Sequence, residues 1–109
     1  MKGYPHMRWL RFFSKVASIG PERAREIMGS SEGWILLDVR QGAEYDGGHL
    51  DGSTHIPLSQ IMNRAGELDR EKLLLVYCRC GNRSRLASRI LAAKGFAEVR
   101  NIEGGILGW

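Results

Sequence analysis

Two short, uninterrupted apolar runs dominate the hydrophobic pattern of the chain. The first is WILLDV at residues 34–39, and the second is KLLLVYC at residues 72–78. Both consist mainly of large and β-branched side chains without polar alternation, which is typical of strands covered on both faces. A third segment, AEVRNI at residues 97–102, is predicted to form a last strand.

Helical patterns lie between and around these strands. Pro21 stands at a first helical position and Gly29 at a stop, so a helix is predicted over residues 21–28. A short helix is predicted after Pro57, and a longer one over residues 84–95, capped by its serine and stopped by its glycine. The closing GGILGW predicts a turn into a short helical piece. Buried strands alternating with helices predict an α/β fold built on a parallel sheet.

Length and composition fit one folded domain. The chain has 109 residues, of which 43% are hydrophobic and 26% charged, values of an ordinary folded protein. No apolar run approaches the roughly 20 residues that cross a bilayer, and Arg8 and Arg11 interrupt the start of the chain, so a cytoplasmic protein is expected. Residues 1–13 are interpreted as a basic, aromatic arm that packs on the domain or touches a membrane or partner, and residues 14–109 as the domain.

The two cysteines, Cys78 and Cys80, are separated by one residue. This spacing excludes the disulfide framework of small secreted domains, so both thiols are expected to be free and reduced. A metal site needs about four ligands, and no second cysteine pair or suitable histidine spacing accompanies these two. No metal is therefore predicted.

Positive charge is concentrated around the cysteines. The net charge is +4 and the pI about 9.4, but no nucleic-acid recognition motif accompanies them, so nucleic acid is not a predicted partner. Between residues 72 and 97 there is no Asp or Glu, whereas six basic residues are present: Lys72, Arg79, Arg83, Arg85, Arg89 and Lys94. The local field should be strongly positive.

Cys78 is the candidate nucleophile. It ends a predicted buried strand, and the short loop RCGNR leads from it to the helix predicted at Ser84. Ligands of open α/β sheets gather at the carboxyl ends of strands, where a helix amino terminus offers free N–H groups. Such a site and neighbouring arginines lower a cysteine pKa from about 8.5 to between about 3.5 and 7.5. The resulting thiolate could attack an electrophilic sulfur, while Gly81 lets the loop backbone approach the bound group.

Three separated stretches resemble the rhodanese (sulfurtransferase) domain. They are DVRQGAEYDGGHLDGSTHIP at residues 38–57, VYCRCGNRS at residues 76–84 and the closing GGILGW. Their order makes the resemblance far more specific than one short motif, and it covers roughly residues 13–109. The resemblance implies an α/β fold with a parallel β-sheet flanked by helices on both faces.

The same resemblance implies the chemistry. The catalytic Cys78 would take a sulfane sulfur from a small anionic donor such as thiosulfate, release sulfite, and hand the sulfur to cyanide or a thiol. No cofactor is implied. The basic residue after the cysteine is more similar to enzymes that use thiosulfate than to those that use mercaptopyruvate. The loop whose amides surround the sulfur would consist of Arg79, Cys80, Gly81, Asn82 and Arg83.

Loop length bears on the substrate class. Cysteine-based phosphatases of related architecture place five residues between the cysteine and the arginine, whereas four separate Cys78 from Arg83 here. The narrower ring is sized for one sulfur atom, which disfavours a phosphatase or an arsenate reductase. A sulfur-relay or regulatory module remains the alternative, with Arg85, Arg89 and the arm docking an acidic sulfur-carrier protein.

Roles of the supporting residues stay open in part. Cys80 either fills the loop, the default, or resolves a persulfide. Arg83 either binds the donor anion or pairs with a carboxylate such as Asp38, and Arg40 has the spacing to pair with Glu44.

The polar residues near the loop have simpler expected roles. Asp38 is expected to be a structural acceptor, because an unpaired carboxylate near Cys78 would raise the thiol pKa. Ser84 is expected to cap the helix. His49 and His55 are assigned to hydrogen bonding in turns, since an ionised thiol needs no general base.

Overall fold

The computed structural model describes residues 16–109, so the arm predicted at residues 1–13 lies outside the described part. Residues 16–109 form five strands and four α-helices with short 3₁₀ turns between them. The strands are β1 (Ser18–Ile19), β2 (Trp34–Asp38), β3 (Ser53–His55), β4 (Leu73–Tyr77) and β5 (Val99–Ile102). The helices are α1 (Pro21–Ser30), α2 (Gly42–Asp46), α3 (Ile61–Arg64) and α4 (Asn82–Ala93). None of these helices has the length and apolar character to cross a membrane.

The strands form one parallel sheet in the order β1-β5-β4-β2-β3. The three predicted strands correspond to β2, β4 and β5, and they occupy the centre. Register places Asp38 of β2 opposite Tyr77 of β4, so both strands end at the same edge. The sequence pattern did not predict β1 or β3, because a two-residue strand and the polar segment Ser-Thr-His give no hydrophobic signal.

Helices cover both faces of the sheet, which confirms the predicted α/β architecture. Alternate residues of β4 point to opposite faces, because the side-chain period of a strand is two. Val76 packs with α3 and α4 on one face, and Tyr77 packs with α1 on the other. Cys78 follows Val76 by two residues, so it points to the same face of the sheet and lies toward α4. Each fully buried aliphatic side chain stabilises the fold by about 1.5–3 kcal/mol.

Two helix predictions need correction. The segment after Pro57 is not one helix, since α3 is flanked by 3₁₀ turns at Leu58–Gln60 and Ala65–Glu67. Helix α4 begins at Asn82, two residues before the predicted capping serine. Its N-cap is Gly81, whose φ of 110° is left-handed and therefore suits glycine.

Helix α2 begins at Gly42 in a glycine-rich segment where the sequence pattern predicts no helix. A capping box stabilises it: the Gln41 side chain accepts from the Glu44 backbone, and the Glu44 side chain accepts from the Gln41 N–H at 3.0 Å. Gly47 ends the helix. The α2 segment thus stands beside the carboxyl edge of the sheet and carries Glu44 toward the α4 amino terminus.

Candidate active site

Cys78 lies at the carboxyl end of β4, directly below the amino terminus of α4. Its backbone turns at once into the loop of residues 78–81, and the Gly81 N–H donates to Cys78 Sγ at 3.1 Å. Cys78 is buried, whereas Arg79, Cys80 and Asn82 are exposed. The thiol is therefore held beneath a loop whose exposed members border the solvent.

The pKa of the Cys78 thiol is lowered from its ordinary value. Burial raises the pKa and is the largest single effect, but hydrogen bonds to sulfur together exceed it. The donors are the Ser84 hydroxyl and the backbone N–H groups of Ser84, Gly81 and Cys80. The expectation of an acidic thiol thus agrees with the geometry, although its main support comes from amides and a serine rather than from the arginines.

Ser84 belongs to the site through its hydroxyl and not as a helix cap. Its side chain is buried, and Oγ lies 3.1 Å from the Gly81 carbonyl oxygen and within hydrogen-bond distance of the Asn101 side chain of β5, so its single hydrogen is shared among these two acceptors and the Cys78 sulfur. Asn101 is itself buried, and its Nδ2 donates to Ser18 Oγ at 3.2 Å. The buried side chains of Ser84 and Asn101 therefore connect the loop to β5. Of these two residues, only Ser84 was predicted to belong to the site.

The closing turn at the end of the chain fixes the direction of the loop peptides. The N–H of Ile106 donates to the carbonyl of Cys78 at 2.9 Å, and that of Leu107 to the carbonyl of Arg79 at 3.1 Å. In a trans peptide the C=O and the following N–H point in opposite directions. Drawing these two carbonyls toward the closing turn therefore directs the N–H groups of Arg79 and Cys80 away from it, and the Cys80 N–H is one of the donors to the Cys78 sulfur.

Gly105 makes this close approach possible. A Cβ added there would lie 2.3 Å from the Cys78 carbonyl oxygen and 2.6 Å from the Arg79 carbonyl carbon. Its φ of 56° is also left-handed. A side chain at this position cannot coexist with the observed loop, so the second glycine of GGILGW is part of the site.

Arg83 pairs with a carboxylate, as one of the two expectations proposed, but its partner is Glu44 and not Asp38. The pair is bidentate, with distances of 2.6 Å (Nη1 to Oε1) and 2.9 Å (Nη2 to Oε2). The hydrogen bond to Glu44 is the largest cause of the raised pKa of Arg83. The charges of Cys78 and Cys80 also raise this pKa, but by less. Arg83 thus ties the loop to α2 while remaining close to both sulfur atoms.

Asp38 and Arg40 form a second, buried pair. The Arg40 guanidinium donates to Asp38 at 2.8 Å and to the Gly48 carbonyl at 2.7 Å, and the two side chains are 6% and 0% exposed. Asp38 is therefore the predicted structural acceptor. The predicted pairing of Arg40 with Glu44 is wrong, because the Arg40 side chain turns back to the end of β2 and leaves Glu44 to Arg83.

The two histidines make turn contacts, as predicted. His49 Nδ1 lies 2.9 Å from the Tyr45 carbonyl, and His55 Nε2 lies 2.8 Å from the Arg40 carbonyl. Both rings stack on Tyr45, with centroids at 3.7 and 4.3 Å. They hold the loop after α2 against the sheet.

The pair of Glu44 and Arg83 should give the protein an acid-sensitive component of stability. The Arg83 hydrogen bond, opposed by burial, holds the pKa of Glu44 at about 2 instead of 4.5. Because the folded pKa is the lower one, the contribution is fully present above about 4.5 and is lost as the pH falls toward about 2. Glu44→Gln should therefore melt at a lower temperature than wild type at neutral pH, and the two curves should converge in acid.

Melting temperatures measured across this pH range check the prediction. Glu67→Gln is the matched control, because Glu67 pairs with Arg64 on an exposed surface and should change the neutral-pH melting temperature little. A deficit of Glu44→Gln that stayed constant down to pH 2 would contradict the assignment.

Comparisons with known proteins agree with this architecture. The model of the rhodanese-like domain family matches residues 20–109. The chain is 32% identical over 96 residues to the thiosulfate sulfurtransferase GlpE of Ectopseudomonas mendocina, covering 88% of this chain and 86% of that protein. The chain spans only 52% and 59% of the length of two Bacillus subtilis relatives, YrkF and YqhL.

Solved structures give the same result. A rhodanese-related protein from Thermoplasma volcanium superimposes with a TM-score of 0.76 at 33% identity, over 85% of this chain and 89% of that one. A rhodanese-like domain protein from Staphylococcus aureus has a TM-score of 0.80 over 86% and 91% of the two chains, and at 24% identity it supports the fold alone. This chain therefore belongs to the rhodanese-like domain family.

Proposed function

We propose that this chain is a sulfurtransferase in which Cys78 takes a sulfane sulfur from a donor such as thiosulfate and passes it to cyanide or a thiol. The observation that carries the proposal is the Cys78 thiol, whose pKa is lowered by the Ser84 hydroxyl and the loop N–H groups despite burial. Its similarity to the thiosulfate sulfurtransferase GlpE, over most of both chains, supports the same reaction.

In the first step the Cys78 thiolate attacks the outer sulfur of thiosulfate. A bond forms between Sγ and that sulfur, and the sulfur–sulfur bond of the donor breaks. Sulfite leaves with the bonding electron pair, and the enzyme retains a persulfide on Cys78. The loop of Arg79, Cys80, Gly81, Asn82 and Arg83 supplies the N–H groups that meet the terminal sulfur, which carries negative charge as the persulfide anion.

In the second step an acceptor attacks the outer sulfur of the persulfide. When the acceptor is cyanide the product is thiocyanate, and when it is a thiolate the product is a new persulfide. In both cases the electron pair of the broken bond returns to Cys78. The same hydrogen bonds that lower the thiol pKa stabilise this leaving thiolate. Neither step needs a cofactor, since the transferred sulfur keeps its oxidation level and each leaving group departs with the electron pair of the bond that breaks.

Arg83 also separates this proposal from phosphoryl chemistry. Four residues stand between Cys78 and Arg83, and both terminal nitrogens of the guanidinium bind Glu44. An arginine held in this way is poorly placed to clamp a tetrahedral phosphate. The arrangement therefore favours a single sulfur atom over a phosphate as the bound group.

A sulfur relay to a protein partner is a second candidate function, and a surface feature favours it. Within residues 16–109, no carboxylate pairs with Arg79, Arg85 or Arg89. Two apolar side chains lie exposed near these cations, Leu86 on α4 and Leu107 beside the Arg79 peptide. A partner with an acidic surface and an apolar patch, such as an acidic sulfur-carrier protein, would complement this rim.

Steady-state assays with thiosulfate test the proposal. Wild type should form thiocyanate from cyanide and a persulfide from a thiol. Cys78→Ser should show no turnover above background, whereas Cys80→Ser, the matched control two residues away, should retain most of it. Equal loss in both variants would contradict the assignment of the nucleophile. Turnover only with a protein persulfide donor would favour the relay.

A further inference from the structure

A cavity of about 170 Å³ adjoins the catalytic loop and is used by neither step described so far. Part of its wall is apolar, and the remainder carries an amide, a hydroxyl and a guanidinium. The lining residues are Val39, Gln41, Pro57, Leu58, Ser59 and Arg83.

Backbone register places this cavity next to the nucleophile. The Val39 N–H donates to the carbonyl of Tyr77, the residue before Cys78, at 3.1 Å. Val39 and Cys78 also belong to the same buried cluster on the α4 face of the sheet. On the other side, Arg83 is shared between the cavity wall and the loop that surrounds the sulfur. The cavity therefore adjoins the loop that carries Cys78, with Val39 and Arg83 as the residues nearest to it.

The lining and the volume indicate what the cavity would hold. Water occupies about 30 Å³ per molecule in the liquid, so the space corresponds to a handful of non-hydrogen atoms. Val39, Pro57 and Leu58 would contact a short apolar body, and the exposed side chains of Gln41 and Ser59 would hydrogen-bond a polar end. Cyanide is too small to use these contacts, and thiosulfate has no apolar body.

We propose that this cavity binds the acceptor, and that the acceptor is a small organic thiol with a polar end. The inference rests on the proposed function. With its body in the cavity, the thiolate attacks the outer sulfur of the Cys78 persulfide. The new sulfur–sulfur bond forms on the acceptor, the old one breaks, and its electron pair stays on Cys78. Pre-positioning of the acceptor body lowers the entropic cost of this second step.

A variant that fills the cavity from its exposed rim tests the proposal. The sulfur-loaded enzyme is mixed with 2-mercaptoethanol or with cyanide, and the second-order rate of sulfur loss is measured for each. Ser59→Phe should lower the ratio of the thiol rate to the cyanide rate by about tenfold or more, since crowding a binding pocket discriminates by factors of about 10–200. Gln60→Phe, an exposed neighbour outside the lining, should leave the ratio unchanged.

The possible failures are distinguishable. If wild type acquires no sulfur on Cys78, the proposed function is wrong and the acceptor site is wrong with it. If wild type is loaded but Ser59→Phe changes neither rate, or lowers both equally, the function stands and the acceptor site is overturned. Because Ser59 is exposed, the variant is expected to fold, which circular dichroism verifies before the rates are compared.

Discussion

Gly105→Ala should slow sulfur transfer from thiosulfate by about a hundredfold, the scale seen when one donor to a developing anion is lost. The new methyl group would lie 2.3 Å from the Cys78 carbonyl oxygen, so the closing turn must move away from the loop. The carbonyls of Cys78 and Arg79 would then lose their partners at Ile106 and Leu107. The N–H groups aimed at sulfur would lose their fixed direction, which should also raise the pKa of the thiol.

Two readouts separate this positioning role from a general loss of structure. Thiolate absorbance against pH reports the Cys78 pKa, and kcat/KM reports transfer. Gly108→Ala is the matched control, because a Cβ there lies 3.7 Å from the nearest atom, the Glu103 carbonyl oxygen. Wild-type kinetics and an unchanged thiol titration in Gly105→Ala would show that the closing turn does not position the loop.

The second large effect is on stability. Arg40→Met should lower the free energy of unfolding by about 3–5 kcal/mol, since removing one partner of a buried ion pair leaves the other charge uncompensated. Asp38 is fully buried, and its carboxylate accepts from the Arg40 guanidinium. The same guanidinium donates to the Gly48 carbonyl. Adding Asp38→Asn to Arg40→Met should recover part of the loss, because the stranded charge is then absent.

Denaturant unfolding of the single and double variants measures both effects. Arg64→Met is the control, since Arg64 forms an exposed pair with Glu67 and its loss should change stability little. If Arg40→Met were no less stable than Arg64→Met, the buried pair would not support the fold. If the double variant were less stable than Arg40→Met, the stranded charge would not explain the loss.

The central strands and the place of Cys78 were predictable because their signals are local. Apolar runs over residues 34–39 and 72–78 predict β2 and β4, and a cysteine followed by a glycine-containing loop and a helix marks the end of β4. The edge strands β1 and β3 escaped prediction, because they are two and three residues long and rely on their neighbours for hydrogen bonds. Helix α2 was not predicted because the glycines at its two ends are typical of a loop, although Gln41 and Glu44 form a capping box there.

The partners within the site were less predictable because they are distant in the sequence. The neighbouring strand end suggested Asp38 for Arg83, and i,i+4 spacing suggested Glu44 for Arg40, whereas the fold exchanges these partners. Asn101 and Gly105 were also missed, since a polar residue in a strand and one glycine among several carry no local signal of contact with Ser84 or with the loop at Cys78 and Arg79. The basic residues around Cys78 suggested a lowered thiol pKa, but backbone N–H groups and Ser84 supply the main support for it.

The mass of the intact protein after exposure to thiosulfate tests the central claim most directly. Wild type should gain one sulfur atom and lose it when cyanide is added, and Cys80→Ser should behave in the same way. Cys78→Ser should gain none. A wild-type protein that gains no sulfur, or a Cys78→Ser variant that still gains one, would contradict the assignment of Cys78 as the sulfur carrier.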